Sequence, residues 1–159
     1  MLESKIKNLK QLNAIARRLK KSGKEIVFTN GCFDILHFGH VKYLQEAKKY
    51  GDILIVGINS DSSVKSIKGA KRPLIKGHDR MKTVAALESV DYVVAFNEGT
   101  PLKTILNLKP DILIKGSDWK KNMIVGAGFV KSYGGKVKTV KLFPGRSTSG
   151  IIKKIAEKF

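Results

Sequence analysis

The sequence predicts an α/β fold in which helices cover both faces of a five-stranded parallel sheet. Three observations carry this. Five short runs rich in β-branched and aliphatic residues recur at Glu25–Thr29, Asp52–Ile58, Tyr92–Phe96, Asp111–Lys115 and Lys136–Leu142. The second and fourth are almost continuously apolar, as strands covered on both faces are. Segments with helical spacing lie between the runs, and strand alternating with helix gives a parallel sheet with right-handed crossovers.

Each element has its own signal. Residues 1–22 read as a lead-in helix that packs on the core through Ile6, Leu9, Leu12, Ile15 and Leu19. This stretch has no apolar h-region and contains Glu3, so it is expected to belong to the fold and not to a leader. After the first strand, Val41, Leu44 and Ala47 share a helix face that Gly51 ends. Met81, Val84, Ala85, Leu87 and Val90 make a second stripe. Leu102, Ile105 and Leu108 make a third, closed by Pro110, and Ile151, Ile152 and Ile155 mark a C-terminal helix. The result is a Rossmann-like, doubly wound sheet. Ligands in such sheets lie beyond the carboxyl ends of the strands, at the point where the winding reverses.

Bulk properties narrow the function classes. The 159 residues suit one domain over 1–159. No apolar run approaches the roughly 20 residues of a membrane span. A lone cysteine, Cys32, excludes an intrachain disulfide and a cysteine-based zinc site, and it fits a reducing cytoplasm. The 31 basic against 13 acidic residues give a net charge of +18, which attracts polyanions. The lysines are scattered, with no run of five or six and no RNA-binding aromatic signature, so phosphate binding is expected and specific nucleic-acid binding is not. A basic nucleic-acid-binding module stays as the non-enzymatic alternative. A homodimer is compatible with the sequence.

The first strand runs into Thr29-Asn-Gly-Cys-Phe-Asp-Ile-Leu-His-Phe-Gly-His40. Two histidines flank Gly39 where a helix begins, and a helix start offers free N–H groups and positive potential to phosphate. Gly39 lets a nucleotide approach the backbone, while His37 and His40 donate to phosphate oxygens as charge builds on them. No third ligand of the usual spacing stands near the pair, so zinc is not expected. Cys32 reads as a small hydrophobe and not a nucleophile. Near the C-terminus, Arg146-Ser-Thr-Ser149 opens the last helix with hydroxyls and N–H groups that serve phosphate in the same way.

Gly31-Cys-Phe-Asp34 followed by His37-Phe-Gly-His40 resembles the opening signature of the cytidylyltransferase-like nucleotidyltransferases, and the serine–threonine step resembles their second signature. Phe28–Leu44, Val56–Asp61, Lys68–Pro73, Ala86–Val93, Thr100-Pro101, Lys115–Asp118 and Tyr133–Gly135 together resemble the D-glycero-β-D-manno-heptose 1-phosphate adenylyltransferases, over about residues 5–156. These make ADP-heptose for lipopolysaccharide cores, alone or as half of a bifunctional kinase–adenylyltransferase, and the stand-alone form is expected here. Two departures stand out. The family's Glu-Gly-x-Ser-Thr-Thr loop is Pro144-Gly-Arg-Ser-Thr-Ser149, and its Lys-Gly-Gly-Asp is Lys115-Gly-Ser-Asp118.

The resemblance implies transfer of AMP from ATP to the sugar 1-phosphate, with magnesium carried by the triphosphate and no metal held by the protein alone. CTP with glycerol 3-phosphate is the alternative pair. Asn30, Gly31, Cys32, Phe33, His37, Gly39, His40, Gly116, Arg146, Ser147 and Thr148 are the expected nucleotide-binding residues. His37, His40, Lys42 and Arg72 are the expected catalytic set. Lys42 is either a phosphate ligand or a solvated helix lysine. Lys71 and Arg72 lie in a loop stiffened by Pro73, and Arg72 is suited to bidentate phosphate binding. Arg80 is either a ligand of the β- or γ-phosphate or part of a surface ion pair. Lys115 suits the sugar phosphate and Asp118 a hydroxyl. Asp34 is a candidate for substrate hydroxyls or for placing magnesium. Trp119 either stacks on substrate or caps the core.

Overall fold

In the computed structural model, which describes residues 1–159 apart from the Lys121 side chain, the five runs form β1 (Ile26–Gly31), β2 (Ile53–Asn59), β3 (Tyr92–Phe96), β4 (Ile112–Gly116) and β5 (Lys136–Val140). They pair in parallel in the order β3-β2-β1-β4-β5. The helices are α1 (Leu9–Lys21), α2 (Phe38–Lys48), α3 (Asp61–Lys68), α4 (Gly77–Ala85), α5 (Leu102–Leu108), α6 (Ala127–Ser132) and α7 (Thr148–Lys158).

The two-residue period of the strands splits the core in two. Val27, Leu54, Val56, Ile112 and Ile114 meet Leu44 and Ala47 of α2 and Val84 and Ala85 of α4. Ile26, Phe28, Ile55 and Leu113 meet Leu12 and Ala16 of α1, Ile105 and Leu108 of α5 and Val130 of α6. Burying an aliphatic side chain of this size stabilises by about 1.5–3 kcal/mol, so both faces are fixed by the same near-continuous apolar strands.

Three aspartates set the sheet register from below. Asp52, Asp91 and Asp111 each precede a strand, and each accepts a backbone N–H from the start of the neighbouring one: Glu25 at 2.9 Å, Leu54 at 2.7 Å and Ile26 at 2.8 Å. Lysines neutralise them, Lys24 on Asp52, Lys48 on Asp91 and Lys20 on Asp111. Much of the sheet's acidic charge is therefore structural.

The N-terminal segment corrects the reading of one helix over residues 1–22. A short 3₁₀ turn at Leu2–Lys5 ends where Ile6 bridges to Val93, and α1 starts afresh after Asn8. Asn8 and Gln11 cap each other's backbone N–H groups, a capping box that restarts the helix.

The strands flanking the reversal of winding do not stay together. β1 and β2 remain in register through Gly31 and Ile58, and β4 and β5 through Gly116 and Val140. β1 and β4 pair only at Val27–Ile112 and Phe28–Leu113. Beyond that they part, and the gap opens at the carboxyl ends of the sheet, where such folds bind ligands.

Candidate active site

A cleft of about 540 Å³ fills this gap. Its walls come from the end of β1 (Asn30 to Asp34), the start of α2 (His37, Gly39 and His40), the end of β4 (Lys115 to Trp119) and the start of α7 (Arg146 to Ser149). Two helix starts thus face one cavity. A Cβ on Gly39 would come within 3.0 Å of both the His37 ring and Arg146 Cβ, and one on Gly116 within 2.9 Å of Leu142. These close approaches explain why glycine stands where the walls meet. Phe33 turns the chain out of β1 with a φ of 49°, in the left-handed region, and its ring lies 5.1 Å from that of His40.

The histidine rings stack, with centroids 3.8 Å apart and planes 22° from parallel. Burial, followed by the neighbouring His37, lowers the pKa of His40 to about 4. Burial, followed by Arg146, lowers that of His37. The His37 backbone N–H donates to His40 Nδ1 at 3.4 Å. The neutral His40 ring therefore carries its proton on Nε2, a donor that needs no titration to act. His37 Nδ1 and Asn30 Oδ1 are buried in the cleft wall without a hydrogen-bond partner among the described residues.

Lys115 is the cation at the fork between β1 and β4. Its Nζ reaches the Asn30 carbonyl at 3.5 Å and lies 5.4 Å from the Trp119 ring centroid. Burial lowers its pKa to about 8 against the opposing pull of Asp118. Cys32 also lines the cleft, and burial raises its thiol, which fits a neutral wall residue.

Four residues differ from their expected places. The Asp34 carboxylate is buried and already occupied, accepting from Arg72 Nε at 2.6 Å, Leu74 N at 2.9 Å and Ile75 N at 2.7 Å. Burial alone would raise its pKa, but the two amides and the guanidinium outweigh it and hold it below the ordinary range. It clasps the 72–75 loop from the cleft wall, and its oxygens are taken by these donors and not left free for substrate hydroxyls or magnesium. Arg80 is buried beneath the cleft and donates to the carbonyls of Ile75, Cys32 and Asn59 and to Asp61. Its donors are taken by these acceptors and it is absent from the cleft lining, so the expected place at a triphosphate is replaced by one in the framework. Lys42 lies outside the cleft lining, 3.8 Å from Glu46 on its own helix. Lys71 is exposed and also absent from the lining, whereas Arg72 keeps its terminal nitrogens free of protein partners among the described residues.

Sequence reading passed over Asn59, Lys68 and Phe143, which also line the cleft. The rule that found the others, inspecting the carboxyl end of each strand, would have found Asn59 at the end of β2.

A doubly wound sheet with paired histidines at one helix start and a Ser-Thr step at another defines a nucleotidyltransferase domain. The chain belongs to the cytidylyltransferase-like family, whose model matches residues 28–156. It is 56% identical over 153 residues to the bifunctional protein HldE of Geobacter metallireducens, covering 96% of this chain and 31% of that one. It is 50% identical over 152 residues to the HldE of Methylobacillus flagellatus, covering 96% and 31%. The chain thus spans about a third of the length of these relatives. Among solved structures, the lipopolysaccharide core biosynthesis protein of Thermoplasma volcanium superposes with a TM-score of 0.61 at 34% identity, over 76% of this chain and 98% of that one. The pantoate-β-alanine ligase of Francisella tularensis gives 0.61 at 18% identity, over 97% and 79%, and shows the fold alone.

Proposed function

We propose that this protein transfers AMP from ATP to D-glycero-β-D-manno-heptose 1-phosphate, giving ADP-heptose and pyrophosphate. The observation that carries this is the cleft where β1 and β4 part, with two helix starts, a neutral histidine pair and a half-buried lysine around it. Relatives near 50% identity are called bifunctional, and this chain matches about a third of each, consistent with its carrying one of two activities.

The chemistry needs no covalent intermediate. An oxygen of the acceptor phosphate attacks the α-phosphorus of ATP, the bond to the bridging oxygen breaks, and pyrophosphate leaves with the electron pair. The nucleophile is already anionic, so no general base is required. Positioning and charge stabilisation do the rest. His37, His40, Ser147 and Thr148 hold the donor's phosphates, and Arg72 and Lys115 hold the single phosphate of the acceptor. No group of three or more His, Cys, Asp and Glu suited to a metal occurs among the described residues. With Asp34 occupied, Asp118 is the one other carboxylate of the cleft lining. That donor set fits magnesium arriving as part of MgATP, since magnesium favours substrate phosphates with one or two carboxylates. Supply of ATP places the reaction in the cytoplasm, and the net charge of +18 draws both anionic substrates towards the cleft.

The test is pyrophosphate release across ATP, CTP, GTP and UTP against a set of sugar 1-phosphates and glycerol 3-phosphate. ATP with the heptose phosphate should lead, with kcat/KM above that for CTP by about tenfold to a thousandfold, the range open to a site that reads a base edge. CTP equal to or better than ATP would replace this reading with the cytidylyltransferase one.

Lys115 makes a further prediction. Its pKa is depressed to about 8, so the ammonium is present below that pH and lost above it. The kcat/KM for acceptor should be flat from about pH 7, above the second ionisation of a phosphate monoester, to pH 8 and fall above it, while Lys115→Arg, always charged, should remove this break. An unchanged alkaline limb in Lys115→Arg would separate the lysine from acceptor capture.

A further inference from the structure

The chain has one tryptophan, and it stands on the rim of the cleft. Trp119 lies three residues beyond the end of β4 and keeps 46% of its surface exposed. Exposure of one ring means little by itself; its place on the cleft wall beside a cation gives it a use. Three features specify that use. The Lys115 ammonium lies 5.4 Å from the ring centroid, so ring and cation address the same volume. No ion pair or hydrogen bond of the Asp118 side chain occurs among the described residues, leaving its carboxylate free to accept hydroxyls. Ile67, Pro101 and Val125 extend the apolar wall of the same cleft.

Lys115 also contrasts with lysines on the helices and loops around the sheet. Lys20, Lys24 and Lys48 each sit on an aspartate, and Lys5 donates to the carbonyls of Leu87 and Val90. Lys115 has one long contact to a carbonyl and the face of Trp119. A half-buried ammonium with so few partners gains from an anion that joins it. Ring for an apolar sugar face, carboxylate for hydroxyls and ammonium for phosphate together describe a sugar phosphate, with each group in contact with a different part of it.

We propose that Trp119 is the specificity-determining residue of the acceptor subsite, its ring covering one face of the sugar whose phosphate Lys115 holds. This rests on the transfer reaction proposed above. The ring lies beside the ammonium. When the acceptor binds, phosphate takes the ammonium and the sugar takes the ring.

Steady-state kinetics of Trp119→Ala and Trp119→Phe test the proposal, with ATP and the heptose 1-phosphate varied separately. The alanine variant should raise the acceptor KM about tenfold or more, equivalent to roughly 1.4 kcal/mol, with the ATP KM within about twofold of wild type. The phenylalanine variant, which keeps a ring, should recover most of the loss. As Trp119 is the sole tryptophan, wild-type emission should change saturably on adding mannose 1-phosphate without nucleotide, and less with inorganic phosphate alone. A rise in the ATP KM with the acceptor KM unchanged would make the ring a platform for the base, and no change in either would make it a cover; both overturn the proposal. If wild type releases no pyrophosphate with any pair, the transfer reading fails, while the emission titration still decides whether sugar phosphates meet Trp119.

Discussion

Replacing His40 with alanine should lower kcat by about 10²–10³ while leaving the fold intact, the cost of removing one preorganised donor from a developing negative charge. The geometry gives the reason. His40 sits at the third position of α2, its Nδ1 occupied by the His37 backbone N–H and its ring packed against those of His37 and Phe33. The ring is thus fixed before substrate arrives, and only Nε2–H is left to point at a ligand. Its pKa of about 4 means that it acts as a neutral donor at physiological pH and not as a general acid. Two consequences can be measured together. The kcat of wild type should show no loss attributable to His40 from pH 8 down to about 5, well below the ordinary histidine range. His40→Gln, which retains an N–H donor, should keep more turnover than His40→Ala. Turnover near wild type in a folded His40→Ala protein would remove His40 from the chemistry.

Much of the sheet was legible because its strands are written as apolar runs. Their ends moved by one or two residues: β1 continues through Asn30 and Gly31 because β2 continues beside it to Ile58. Short helices were harder. α3 buries Ser63 and Val64 and α6 buries Ala127 and Val130, too few positions to make a periodic stripe. The break in the N-terminal segment was written in Asn8 and Gln11, a capping pair outweighed by the apolar spacing around it. The C-terminal stripe formed a helix, but no residue of α7 is buried.

At the site, position was more legible than role. Residues at strand ends and helix starts lie on the cleft because topology puts them there. Which charges are free is decided by groups distant in sequence. Asp34 met Arg72 and two amides from a loop about forty residues on, and Arg80 met a carbonyl forty-eight residues back. No local pattern shows that a charge is already satisfied. Lys42 is the exception, since Glu46 one helical turn later is a visible partner.

Arg80 carries the largest expected effect on stability. Its guanidinium is 1% exposed and makes four hydrogen bonds, from Nε to Ile75 O at 2.9 Å, from one terminal nitrogen to Cys32 O at 2.6 Å and Asn59 O at 2.9 Å, and from the other to Asp61 Oδ1 at 2.7 Å. One side chain therefore joins the end of β1, the end of β2, the start of α3 and the loop entering α4. Arg80→Met keeps a similar apolar stem but leaves three carbonyls without their donor. A fully buried group stranded in this way costs about 1–3 kcal/mol; the bond to Asn59 is buried and those to Ile75 and Cys32 part-buried, so the variant should lose about 3 kcal/mol. For a domain of this size that lowers Tm by roughly 6–12 °C, at about 2–4 °C per kcal/mol. Arg80→Lys restores the charge but not the fork, since a single ammonium cannot span four acceptors on different segments, and it should recover only part of the loss. Thermal melts with ATP titrations decide between this role and that of a phosphate ligand. A bolt beneath the cleft predicts a large fall in Tm for the ligand-free protein. A triphosphate ligand predicts an unchanged ligand-free Tm with a raised KM for ATP, and that result would return Arg80 to the binding surface.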